Sequence, residues 1–146
     1  MALLEVKNIY KSFGGVKAIQ NFSIEANAGE IHGIIGPNGA GKTTIFNTIS
    51  GVYTADQGTV LLDGKDITSE SIRQRSKDGM SHIPEDRHKH GLVLDYTLAD
   101  NMVLQRYWQP EFQNHGFIKK NAVLQYAERL IKQYDVRSGQ GPATIA

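Results

Sequence analysis

Residues 36–44 read Gly36-Pro37-Asn38-Gly39-Ala40-Gly41-Lys42-Thr43-Thr44. The first eight satisfy every fixed position of the pattern G-x-x-x-x-G-K-[ST]. The flanks fit the same reading. Ile31 to Ile35 is a short apolar run of the kind a buried parallel strand shows. Lys42 to Ser50 reads as a helix with Ile45, Phe46 and Ile49 on one face, and Gly51 stops it. A strand that enters a glycine-rich loop and a helix that leaves it form a phosphate site for a physical reason. A di- or triphosphate needs several N–H donors converging on one point. Gly39 and Gly41 let the backbone bend so that successive amides face inward, and the helix adds its positive end. Lys42 then reaches the β- and γ-phosphates, and the Thr43 hydroxyl is placed to ligate Mg²⁺.

Working outward, the 146 residues carry 40% hydrophobic and 21% charged side chains, 15 Gly, 4 Pro and no Cys. That is an ordinary globular composition and chain enough for one domain, which at this size buries roughly 70% of its unfolded surface. A net charge of +1 argues against a dedicated nucleic-acid binder, which needs a basic face. Zero Cys excludes disulfide frameworks, thiolate metal sites and thiol catalysis. No apolar stretch approaches the roughly 20 residues of a membrane span. Glu5 and Lys7 fall where a secretory signal needs its apolar run.

The chain reads in two stretches, 1–68 and 69–146. In the first, Leu3, Leu4, Val6 and Ile9 predict a strand. Phe22, Ile24 and Ala26 alternate with polar residues as a half-buried strand does, Gly29-Glu30 is a turn, and Thr59 to Leu62 is a strand closed by Asp63-Gly64. In the second, Ser69 to Ser76 is a short helix and Met80 to Ile83 a short strand ended by Pro84. Thr97 is an N-cap with Asp100 at capping-box spacing, ahead of a helix burying Leu98, Met102 and Val103. Asn121 to Tyr134 is an amphipathic helix with Val123, Ala127, Leu130, Ile131 and Tyr134 on one face. Residues 137–146 are Gly/Pro/Ser-rich and irregular.

The run LLEVKNIYKSFGGVKAIQNFSIEANAGEIHGIIGPNGAGKTTIFNTISGVYTADQGTVLLDGKDIT, residues 3–68, strongly resembles the start of ATP-binding-cassette (ABC) transporter ATPase subunits. Within that family it is most similar to branched-chain amino-acid importers. GMSHIPEDRHKHGLVLDYTLADNMVLQRY, residues 79–107, resembles instead the second nucleotide-binding domain of tandem sugar or nucleoside importers. Two branches in one chain predict a mosaic, recombinant or engineered, joined between Asp63 and Met80. The resemblance implies an α/β fold. It would comprise a P-loop NTPase core with a small antiparallel β subdomain and a helical segment from Thr97 to Tyr134, as a truncated ABC ATPase domain. It implies Phe13 as the aromatic that stacks on adenine, with Val16 beside it; a core aromatic near a strand end is the other reading. It places Glu85 where most of the family has a glutamine contacting Mg²⁺ and the attacking water. A solvated turn, Glu85-Asp86-Arg87, is the alternative there. For the cationic cluster Arg87, His88, Lys89 and His90 a solvated loop, a partner-facing loop and a metal site all stay open.

Three family features are missing from these 146 residues: an apolar strand ending Asp-Glu, an LSGGQ-type signature and a switch histidine. Asp63 and Asp95 end apolar runs, but Gly64 and Tyr96 follow them. The resemblance therefore implies the nucleotide-binding part of an importer ATPase, binding ATP or ADP with Mg²⁺, at the cytoplasmic face and peripheral to the inner membrane. Its partners would be membrane permease subunits and a second ATPase domain. The alternatives are a structural or chimeric fragment without turnover, and a self-contained NTPase using another acid.

With no signature, two copies cannot close the family's nucleotide sandwich, and parallel-sheet edges without their neighbours recruit other chains. ATP-independent self-association is the expectation. Size exclusion with light scattering, with and without Mg-ATP, should give the same oligomer in both conditions. A monomer in both removes self-association, and a dimer formed only with ATP contradicts the reading of the missing signature.

Overall fold

The structure is a computed structural model describing residues 2–137 and 141–145, apart from the side chain of Arg87. The chain divides into two compact units, one ending at His82 and the other beginning at Ile83.

The first unit is built on β1 (Leu4–Phe13) and β2 (Val16–Ala26), joined through Gly14-Gly15, with Gly14 at φ 55. They are followed by α1 (Lys42–Ser50), β3 (Gln57–Leu62), β4 (Lys65–Asp66) and α2 (Ile72–Lys77). The strands form one antiparallel sheet in the order β2-β1-β3-β4. Val6 and Ile9 are three apart and so, by simple alternation, would face opposite sides of β1. A register shift between them, with Asn8 at φ 50, turns both inward, and each is 1% exposed. Gly58 on β3 completes the device. A Cβ there would meet the carbonyl oxygen of Asn8 at 2.4 Å, so only glycine lets the strands close at the bulge. Val6, Ile9, Ile19, Val60 and Ile67 make the core with Ile45 of α1, so the helix is held on the sheet by apolar burial.

Helix α1 has the bounds expected of it, and Gly51 at φ 86 ends it in the left-handed conformation. Phe46 is a correction. It is 48% exposed, because Ile45 and Ile49 occupy the inward face and residue 46 lies about 100° round the helix from 45. Two strands also differ from expectation. Residues 31–37 make no ladder, and Ile31 and Ile35 are 100% and 97% exposed. Met80–Ile83 likewise forms no strand; Met80 packs on the core while Ile83 is exposed. The reason is shared. A buried parallel strand exists only as the neighbour of another, and every ladder among the described residues is antiparallel.

The second unit holds α3 (Arg87–His90), α4 (Leu98–Val103), a two-stranded ribbon of β5 (Gln113–Asn114) and β6 (Phe117–Ile118), and α5 (Lys120–Gln133). Thr97 caps α4 as its spacing predicts: its hydroxyl oxygen accepts from Asp100 N and its O–H donates to the Asp100 carboxylate at 2.6 Å. Ala99, Val103, Val123 and Ala127 close around Phe112, which is fully buried and meets Tyr126 edge-on. Leu98 and Met102 were expected in that buried face; the buried residues of α4 are Ala99 and Val103, with Met102 packed beside them. Tyr134 was expected on the apolar face of α5 but follows its last turn and is 68% exposed. In the irregular tail, Gly141–Ala143 forms a short 3-10 turn; residues 138–140 and 146 lie outside those described. Among the described residues no helix is long and apolar enough to cross a membrane.

Candidate functional site

The site starts from the backbone of residues 36–41. Gly39 and Gly41 have φ of 83 and 84, the left-handed region that L side chains rarely adopt. Gly41 is constrained twice, since a Cβ on it would lie 2.4 Å from the carbonyl oxygen of Ala18 on β2. The loop therefore turns directly against the sheet, and the glycine is what lets α1 begin there. Gly36 to Ala40 are exposed. Gly41 is the N-cap of α1 and supplies no side-chain cap, so the first-turn amides are not closed off from a ligand. The Lys42 ammonium bends back over the loop and donates to the carbonyl oxygens of Gly36 and Pro37 at 2.7 and 2.8 Å. One cation, several amides and a helix N-terminus thus share one exposed loop, a donor set suited to a polyphosphate. Thr43 is exposed on the first turn, and Thr44 is half-buried with its carbonyl accepting from the Thr48 hydroxyl at 2.8 Å.

Phe13 ends β1 and is 44% exposed. Tyr53 meets it edge-to-face, centroids 5.1 Å apart, and the Lys11 ammonium lies 5.4 Å from its ring centroid. Lys11 is held in turn by Asp56 at 2.8 Å. Val16, paired with Phe13 across the strand turn, is 67% exposed. Glu85 is exposed in the segment before α3, in the second unit. Asp86 has a local role, its side-chain oxygen accepting from Lys89 N at 3.0 Å and its carbonyl from His90 N. His88, Lys89 and His90 are exposed on α3. Asp63 sits in its turn at φ 48, its amide donating to Leu3 O.

Sequence reading passed over two features of this site. One is Arg75, 2% exposed, whose guanidinium meets the C-terminal end of α1. An arginine in a polar six-residue helix gives no signal of burial. The other is what holds the expected Gly29-Glu30 turn, which launches residues 31–37: the Glu30 carboxylate. Glu30 accepts from Asn27 N at 2.7 Å, from the Asn27 side-chain amide at 3.1 Å and from the His32 ring at 2.9 Å. The Asn27 backbone bond, then His32, then the Asn27 side chain hold its carboxyl at about 2, well below the ordinary range.

The family described as ABC transporter matches residues 19–141 of the chain. The nucleoside import ATP-binding protein NupA of Lactococcus lactis subsp. cremoris (strain MG1363) is 39% identical over 92% of this chain and 27% of its own length, so one relative spans both stretches. The galactose/methyl galactoside import ATP-binding protein MglA of Escherichia coli (strain K12) is 40% identical over 72% of the chain and 20% of its own length. Among solved structures, a nucleotide-free ATP-binding cassette from an ABC transporter aligns with TM-score 0.62 and 31% identity, over 92% of this chain and 49% of that one. A cassette in its ADP conformation aligns with TM-score 0.60 and 28% identity, over 90% and 53%. The chain spans about a quarter of these curated relatives and about half of the solved cassettes.

The Glu30 turn has a definite pH dependence. A carboxyl whose folded value lies below its ordinary value of 4.5 adds stability that is complete above that value and is lost as pH falls from 4.5 towards 2. A carboxyl-carbon NMR titration should find the Glu30 midpoint near 2, with faster exchange at Asn27 N as it protonates. A midpoint near 4.5 contradicts the three-donor turn.

Proposed function

We infer, for a chain that belongs to the ABC transporter family, that residues 36–44 bind ATP or ADP with Mg²⁺ as the nucleotide-binding part of an importer's energy-coupling subunit. The observation that carries this is the loop itself: Gly39 and Gly41 in left-handed conformations, α1 beginning at Lys42 without a side-chain cap, and the Lys42 ammonium lying over the loop carbonyls. In this reading Lys42, now on the Gly36 and Pro37 carbonyls, would serve the phosphate oxygens, and the Thr43 hydroxyl would help to hold Mg²⁺. Phe13 offers the exposed part of its ring to adenine, with Val16 beside it; such stacking contributes about 1–3 kcal/mol per base. Glu85 is assigned to Mg²⁺ and the attacking water on the resemblance of residues 79–107.

Between the two branches we take nucleoside or sugar import, which the names of the relatives support; amino-acid import has the likeness of residues 3–68 alone. The subunit would work at the cytoplasmic face with membrane permease subunits and a second ATPase domain. Turnover by residues 1–146 alone would be negligible. In-line attack needs a positioned water and charge neutralisation around the γ-phosphate, and the Asp-Glu strand and signature that supply them in the family are not in this sequence. The exposure of Ile31 and Ile35 favours a second reading, a fragment that keeps the fold without useful nucleotide affinity.

Calorimetry separates the two. The first reading expects MgATP and MgADP to bind between micromolar and millimolar, about −8 to −4 kcal/mol, with no phosphate released. Lys42→Ala should abolish binding. Equal binding by wild type and Lys42→Ala refutes the site, and no binding by wild type selects the fragment reading.

A further inference from the structure

We propose that Arg75 is a positioning residue for nucleotide binding, acting through the far end of the P-loop helix. The inference rests on the reading of residues 36–44 as a nucleotide site. Ser71 caps α2 by accepting from Gln74 N, and the first turn carries Arg75 inward against α1. Arg75 is 2% exposed and its guanidinium donates to four carbonyls. Nη1 serves Thr48 and Ile49, among the last carbonyls of α1; Thr48 O also accepts from the Gly51 amide at 3.2 Å. Nη2 serves Thr68 at 2.8 Å and Nε serves Glu70 at 3.1 Å. One rigid fork thus ties the C-terminal end of α1 to the segment leading from β4 into α2. Burial pushes the group below its ordinary value, with Glu70 and Asp66 acting the other way, and an arginine keeps its charge regardless.

Gly51 shows that the fit is tight. A Cβ there would meet Arg75 Nε at 2.7 Å, and the residue stands at φ 86. The opposite end of α1 is fixed where Gly41 approaches Ala18. The nine-residue helix is about 13 Å long and is gripped at both ends, so its first-turn amides have a fixed position along the axis. At that length Arg75 makes no contact with a phosphate bound at the first turn. The effect is positional: without the fork, the Ile49 carbonyl loses Nη1, the Thr48 carbonyl keeps only the Gly51 amide, and the last turn loosens.

The test uses the whole chain and MgADP. Arg75→Met should weaken MgADP binding about tenfold, with little dependence on salt, and speed hydrogen exchange at the Ile45–Ser50 amides. Arg75→Lys, which keeps the charge but not the fork, should fall between the two. Folded Arg75→Met with wild-type affinity overturns the proposal, as does a loss of thermal stability with affinity unchanged. If Arg75→Met does not fold, Arg75→Lys decides: weakened binding upholds the role and wild-type binding overturns it. A wild type that binds no MgADP removes the nucleotide reading instead. In that case unchanged exchange at Ile45–Ser50 in Arg75→Met overturns the anchoring too, and faster exchange upholds it.

Discussion

Helix α1 can begin only where the backbone of Gly41 passes the carbonyl of Ala18 with no room for a side chain. That close approach sets the helix on the sheet and brings Ile45 into the cluster of Val6, Ile9, Ile19, Val60 and Ile67. It also leaves the glycine loop outside the core, facing water. The same constraint therefore serves packing and chemistry. The apolar face of α1 is spent on the sheet, and its uncapped N-terminus is left as a donor array.

The energetics divide in the same way. An exposed ion pair such as Arg137–Asp135 belongs to the class that contributes about 0–1 kcal/mol. Burial of Ile9, Ile67, Val6 and Val60, each at most 1% exposed, is worth about 1.5–3 kcal/mol per side chain. Arg75 stands apart from both. Its carbonyl partner at Ile49 ends a helix inside the protein, where an unmet acceptor costs about 1–3 kcal/mol. The helix that presents the loop is thus stabilised along its length by apolar contact and at its end by hydrogen bonds.

Local signals in the sequence are legible. The bounds of α1, the stop at Gly51, the Asp63-Gly64 turn and the Thr97–Asp100 cap all follow from residue chemistry acting within four or five positions. What depends on distant partners is not. Ile31–Ile35 has the composition of a buried strand, but composition does not provide the neighbouring strand that makes it one. The inward turn of both Val6 and Ile9 needs the Asn8 bulge and Gly58 across from it, a pairing no local pattern announces. Arg75 and Phe112 carry no local signal for the same reason: each is buried by packing with other elements of the fold. At the site, the phosphate loop was legible because its glycines and lysine act on their own backbone. The positions of Phe13 and Glu85 came from resemblance.

The central claim is that the backbone amides of the glycine loop and the first turn of α1 hold a nucleotide's phosphates. An amide NMR titration with MgADP reads those groups one by one. The account predicts that Gly39, Gly41, Lys42 and Thr43 amides shift furthest and saturate together, ahead of any change at Phe13. Saturable shifts confined to other residues, with these four amides unmoved, would contradict it.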